Sequence, residues 1–264
     1  MDKKKYFQDI ATYQLLAKHE VGQNFLVDYE VCERIVSLLD IQEGEKVLEI
    51  GCGAGSLTYF LAESKGDVQA IDIDEGLLRK LEGDFKGKVD VVYGNAAKWD
   101  YAPYDKIIGN LPYYITSLII ERALLNGSNA KIMTFMVQKE AAERFLAPIG
   151  TKDYGPLPIL IALCCDAKRA FNVRRTSFVP APHVDSSVLQ FQMKERDLAE
   201  ISKIYKLCSS LFLQRRKTIY NNLKSYLHSD EKAKALLAEC GLAENLRPEN
   251  ISPEQYRALA KRIA

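Results

Sequence analysis

Lys46-Val47-Leu48-Glu49-Ile50-Gly51-Cys52-Gly53-Ala54-Gly55 is the stretch whose reading decides the fold. Its first half reads as a strand. The glycines that follow let the backbone turn sharply and approach a ligand closely. A helix is expected over 56–62. A second strand, Val68-Gln69-Ala70-Ile71, then ends in Asp72, about 20 residues after the first glycine, where an acid can take both hydroxyls of a ribose. The glycines are spaced GxGxG, not the GxGxxG of dinucleotide binders. That spacing favours a nucleoside without a pyrophosphate, such as S-adenosylmethionine, over NAD. The competing reading is a tight strand–helix turn with Asp72 capping the next helix.

Outward from this unit the alternation continues. A helix is expected over 74–85 and a strand over 89–93. Gly94-Asn95-Ala96-Ala97 follows; it could set an amide or a backbone N–H against an adenine edge, or be a plain turn. Lys106-Ile107-Ile108 reads as a buried parallel strand and runs into Gly109-Asn110-Leu111-Pro112-Tyr113-Tyr114. Proline fixes the backbone there, so its neighbours' carbonyls point in set directions. The Asn110 amide can accept a hydrogen bond from an amino group, and a tyrosine ring offers a face for a base to stack on. Together these suit an exocyclic amine held for attack on an electrophile. The alternative is a proline turn ending a strand, with Tyr113 as a half-buried anchor. A helix over 116–125, a buried strand over 131–137 and an amphipathic helix over 138–146 complete the alternation. Strands alternating with helices imply a parallel sheet with right-handed crossovers.

Residues 147–158, rich in Gly and Pro, are expected as an exposed loop, and 157–165 as a buried apolar run. Ala170-Phe171-Asn172-Val173 and residues 184–191 read as two strands forming an antiparallel edge. They flank Phe178-Val179-Pro180-Ala181-Pro182. Phe178 could face Tyr113 and clamp a flipped base, or be an apolar staple under the loop. At the other end, residues 1–20 read as a loose arm with a helical turn or more. Asp28 caps a helix through Leu39. From 194 onward only helices are expected, over 198–213, 231–240 with a Gly241 stop, and 252–263 opened by Ser252-Pro253.

Composition narrows the function classes. The 264 residues are 47% hydrophobic and 27% charged, ordinary for a globular protein. A net charge of +1 argues against coating nucleic acid by bulk attraction but permits a local basic face. Lys168-Arg169, Arg174-Arg175 and Arg215-Arg216-Lys217 are either such a face or solvated element ends. No apolar run approaches the roughly 20 residues of a membrane helix. No apolar core follows the charged start, so secretion is not expected. The six cysteines show no CxxC spacing, and none of the three histidines is near a cysteine pair. No metal site is therefore expected, and reduced thiols in a cytoplasm are.

Gly22-Gln23-Asn24-Phe25-Leu26, Glu49-Ile50-Gly51-Cys52-Gly53-Ala54-Gly55-Ser56-Leu57-Thr58, Asn110-Leu111-Pro112-Tyr113, Phe135-Met136-Val137-Gln138-Lys139-Glu140, Pro180-Ala181-Pro182-His183-Val184-Asp185-Ser186, Gln214-Arg215-Arg216-Lys217-Thr218 and Glu249-Asn250-Ile251-Ser252-Pro253-Glu254-Gln255-Tyr256 occur in that order. Together they resemble the motifs of the small-subunit ribosomal RNA adenine N6,N6-dimethyltransferases. The resemblance implies an α/β, Rossmann-like class I methyltransferase with a mostly parallel seven-stranded sheet over 1–193, and a small all-α RNA-binding domain over 194–264. It implies S-adenosylmethionine as cofactor, touched by Asn24, Leu26, Gly51, Asp72, Asn95 and Asn110. It implies that Asn110 and Pro112 orient the target amine while Tyr113 and Phe178 sandwich the adenine. The substrate would be two adjacent adenosines of small-subunit RNA within a pre-ribosomal particle, met by a cytoplasmic monomer without a membrane partner. Asp72 stands where many relatives carry Glu, and Asn95 where Asp is usual. Two other readings are a large-subunit RNA adenine methyltransferase conferring antibiotic resistance, and a ribosome-assembly or transcription factor that keeps the fold without the chemistry.

Overall fold

The computed structural model describes residues 2–12 and 23–263. Gly22 of the opening motif and residues 13–20 of the expected arm lie outside them. The start of the arm is a helix, α1 (Lys3–Ala11), capped by Asp2 and burying Tyr6, Phe7 and Ile10. Then come β1 (Phe25–Leu26) and α2 (Tyr29–Ser37), whose first turn is capped by the Asp28 side chain.

The sheet is built from β2 (Lys46–Ile50), β3 (Asp67–Asp72), β4 (Val89–Tyr93), β5 (Lys106–Asn110), β6 (Ile132–Gln138), β7 (Cys165–Val173) and β9 (Ser186–Met193). A two-residue β8 (Phe178–Val179) pairs antiparallel with β1 outside it. The seven strands run in the order β4-β3-β2-β5-β6-β9-β7. Four neighbouring pairs from β4 to β6 are parallel, and β6 meets β9 antiparallel. The connecting helices are α3 (Thr58–Leu61), α4 (Glu75–Asp84), α5 (Thr116–Asn126) and α6 (Lys139–Phe145). α3 is shorter than the expected 56–62, because residues 53–57 are spent on turns after the glycines.

From β2 the chain crosses to β3 and β4 on one side, then returns to β5 on the other. The loops after β2 and β5 therefore leave in opposite directions and open a crevice at the strands' carboxyl ends. Register brings the two loops close: Ile50 lies opposite Gly109. A side chain on Gly109 would meet the Ile50 carbonyl at 2.6 Å, so only glycine allows this pairing.

The chain divides into two compact units, residues 1–142 with 167–193, and residues 143–166 with 194–264. The sequence-based boundary at 193/194 thus differs by one segment, because 143–166 packs with the carboxy-terminal helices. That segment holds α7 (Pro156–Cys164), where a loop was expected up to 158. Its prolines fall in the first helical turn, where a missing N–H costs nothing. The second unit adds α8 (Leu198–Phe212), α9 (Ile219–Leu227), α10 (Asp230–Glu239) and α11 (Pro253–Arg262). They close around Leu207, Leu211, Leu223 and Tyr256. Tyr256 donates to the Pro248 carbonyl at 2.9 Å and Tyr154 to the Ile251 carbonyl at 3.1 Å. No helix among the described residues is long and apolar enough to cross a membrane.

Candidate active site

A cavity occupies the crevice. Its walls come from Gln23 to Leu26, the glycine loop after β2, Asp72 and Ile73 after β3, Gly94 to Ala97 after β4, and Asn110 to Ile115 after β5. Every residue expected to touch the cofactor, namely Asn24, Leu26, Gly51, Asp72, Asn95 and Asn110, lines it, as do Pro112 and Tyr113. Phe178 does not line it. β8 places Phe178 opposite Leu26, 2% exposed within the core, so no face of its ring is open to a base.

The floor is glycine backbone. Gly51 has φ +68°, and a Cβ there would come within 3.4 Å of the Asn110 carbonyl. Asp72, half-buried at the end of β3, organises the same loop: its Oδ2 accepts the Gly53 N–H at 2.9 Å and its Oδ1 the Asp74 N–H at 3.0 Å. Burial pushes its carboxyl above the usual carboxylate range, against the pull of those backbone donors. The carboxylate lines the cavity, and its oxygens can accept more than these bonds.

Asn110 is fixed by its own amide. Nδ2 donates to the Asn24 carbonyl at 3.3 Å, which leaves Oδ1 as the acceptor end. Pro112 plays a different part from the expected one. Its carbonyl already accepts the Thr116 hydroxyl at 2.9 Å and the Ile115 N–H at 3.3 Å, capping the entry to α5. The Leu111 carbonyl, by contrast, accepts no hydrogen bond among the described residues. Proline restricts the backbone of the residue before it, so the Pro112 ring sets the direction of that carbonyl. Tyr113 is half-buried, its hydroxyl 3.4 Å from the Ser186 hydroxyl, and burial raises its pKa. Asn95 is exposed; its Oδ1 accepts the Ala97 N–H at 2.9 Å, so its NH2 is the end left for a ligand.

Several supports escaped the sequence reading. The Tyr6 hydroxyl reaches the Ala54 and Gly55 carbonyls at 3.2 and 3.4 Å, so α1 buttresses the glycine loop from behind. A Cβ on Gly55 would clash with that hydroxyl. Ser56 donates to the Leu26 carbonyl at 2.6 Å, tying the opening motif to the loop. No sequence period marks Tyr6, because the contact spans 48 residues.

Glu49 is the other unanticipated member of the wall. It is fully buried inside β2, and Thr58 donates to its Oε2 at 2.6 Å. Burial pushes its carboxyl up to about 8; the Thr58 bond opposes this and the Asp72 charge adds to it. The carboxyl is thus neutral in the folded protein at neutral pH, whereas an unfolded glutamate ionises near about 4.3. The stability this proton contributes is fully present below the unfolded value and is lost as pH rises toward about 8. Glu49→Gln keeps the shape without the proton. It is expected to flatten that decline, a difference that thermal unfolding of both proteins at about pH 5 and about pH 8 will read.

The strand order, the crevice at the switch point, the glycine floor and the acid ending β3 define a class I methyltransferase. A family model described as ribosomal RNA adenine dimethylase matches residues 14–264. The chain belongs to that family. It is 37% identical to the ribosomal RNA small subunit methyltransferase A of Lactobacillus helveticus, over 96% of this chain and 94% of that one. It is 38% identical to the protein of the same name from Streptococcus gordonii, over 92% and 90%. Among solved structures it is similar to a dimethyladenosine transferase from Plasmodium falciparum, with TM-score 0.75 and 27% identity over 87% of this chain and 94% of that one. It is also similar to the 23S rRNA methyltransferase ErmE, with TM-score 0.67 and 25% identity over 90% and 99%.

Proposed function

We propose that the protein dimethylates the N6 amines of two adjacent adenosines near the 3' end of small-subunit ribosomal RNA, with S-adenosylmethionine as donor. It acts as a cytoplasmic monomer on RNA within a pre-ribosomal particle, as a step of small-subunit biogenesis. The observation that carries the reading is Asn110: an amide held by the Asn24 carbonyl with its acceptor end spare, on a residue that lines the same cavity as Gly51.

The residues present fit the donor. The Gly51 floor leaves a cradle that a side chain would fill, and Asp72 offers carboxylate oxygens for ribose hydroxyls. Asn24, Leu26 and Asn95 complete the wall. Bound there, S-adenosylmethionine supplies a methyl group on a sulfonium, an electrophile strong enough for a weak nucleophile.

The adenine amine is weak because its lone pair is delocalised into the ring. Two acceptors on the enzyme address this. Asn110 Oδ1 and the spare Leu111 carbonyl take the amine's hydrogens, which favours a pyramidal nitrogen with its lone pair turned outward. This assigns to Leu111 the carbonyl role that Pro112 cannot fill while its own carbonyl caps α5. Tyr113 supplies the stacking face. After transfer the nitrogen gives up its extra proton to water, so no general base is needed. Positioning and preorganised dipoles carry the rate. A monomethylated amine has one hydrogen fewer, and either acceptor alone can still orient it.

Transfer of tritiated methyl groups to undermethylated small subunits tests the reading. The expected product is N6,N6-dimethyladenosine at two adjacent positions of the small-subunit RNA. Label confined to large-subunit RNA, or no label on either subunit or on naked RNA, would overturn it.

A further inference from the structure

We propose that Tyr114 is a stacking platform for the base beside the one being methylated. The proposal rests on the function argued above and adds to it a binding site for the neighbouring nucleotide. Tyr114 follows the Asn110–Tyr113 lip directly and lines the same cavity. The two tyrosines are held differently. Tyr113 is half-buried with its hydroxyl against Ser186, whereas Tyr114 is 60% exposed and its hydroxyl has no hydrogen-bond partner among the described residues. The fold thus does nothing with that ring except hold it at the mouth.

The surroundings point the same way. Seven large apolar side chains stand exposed among the described residues. Three of them, Ile73, Tyr93 and Tyr114, sit at or just beyond the carboxyl ends of β3, β4 and β5, and Ile73 and Tyr114 line the cavity there. Isolated exposed apolar residues need no explanation, but a concentration on one rim does. The occupant is a nucleic-acid base, because the rim is continuous with a pocket that takes one. Every base has a flat face that an exposed phenol ring can cover.

The energetics give the platform a purpose. Turning one adenosine into the pocket strips the neighbouring base of its stacking partner. A ring one residue along from the pocket's own tyrosine replaces that partner one nucleotide along. Because the neighbour is itself an adenosine awaiting methylation, the platform also keeps it at the mouth for the second round. The Tyr114 ring, not its hydroxyl, does this, so the requirement is for an aromatic plane.

The test uses the full chain, undermethylated small subunits and four variants. Tyr114→Ala and Tyr114→Leu are expected to lower kcat/KM for the RNA by about 5- to 150-fold, the range spanned by one base–aromatic stack. They are expected to raise KM for the subunit and to leave more product methylated at one adenosine only. Affinity for S-adenosylmethionine and the thermal midpoint should stay at the wild-type level, which a merely structural role would not allow. Tyr114→Phe and Tyr114→Trp should restore wild-type behaviour. Leu keeps the bulk without the plane, so it separates stacking from packing. Wild-type KM and product ratio in the Ala and Leu variants would overturn the proposal, as would a Phe variant as impaired as Ala. A wild-type protein that methylates no small subunit would bring down the function itself, a different result from an active wild type with indifferent Tyr114 variants.

Discussion

Asn110→Ala is expected to lower kcat for methyl transfer by roughly 10²- to 10³-fold, the loss seen when one preorganised polar contact is removed from an active site. The side chain ends β5, is half-buried, and has the Asn24 carbonyl as its partner. Deleting it removes the Nδ2 bond to that carbonyl, at a cost of about 1 kcal/mol. The protein should therefore fold, bind donor and fail at chemistry. Single-turnover rates at saturating donor and RNA read the chemical step, and thermal unfolding reads the fold. A variant with near wild-type single-turnover rate would refute the role given to Asn110.

Asp72→Ala should act on the other half of the site. Two hydrogen bonds to a charged acceptor, each contributing about 1.5 to 3 kcal/mol, correspond to a loss of donor affinity of about 10²-fold or more. The same carboxylate takes the Gly53 and Asp74 N–H groups, so the glycine loop loses its organiser as well. Asp72→Glu keeps a carboxylate with a longer reach and should retain most of the affinity. Because burial raises the Asp72 pKa, donor affinity should fall on acidification at a higher pH than an ordinary aspartate would give. Calorimetric titration with S-adenosylmethionine checks all three statements. Affinity within about twofold of wild type in Asp72→Ala would remove Asp72 from the donor site.

Much of the fold was legible because buried parallel strands are written as short apolar runs bounded by glycine or by an acid. β2 and β4 occupy the residues expected of them, and β5 exceeds its expected run only by taking in Gly109 and Asn110. The site's outline was legible for a related reason: at a switch point, ligand contacts come from strand ends, and strand ends are where Asp72 and Asn110 stand. What escaped were matters of long-range contact. Burial over 157–165 was legible from its apolar run, but a glycine and two prolines at its start read locally as loop, so the helical form of α7 was not. β1 and β8 are two residues each, too short to show a period, so the pairing that buries Phe178 was invisible. The Pro112 carbonyl looked available because the Thr116 hydroxyl that occupies it lies a turn away in α5. Glu49 reads as an ordinary strand residue until Thr58 and Asp72 close around it.

The central claim is that one crevice holds both the methyl donor and the amine that receives it. A crystal structure of the protein with S-adenosylmethionine tests this most directly. The prediction is a donor in the cavity between Gly51 and Asn110, its ribose on Asp72. A donor lodged anywhere else would contradict the account.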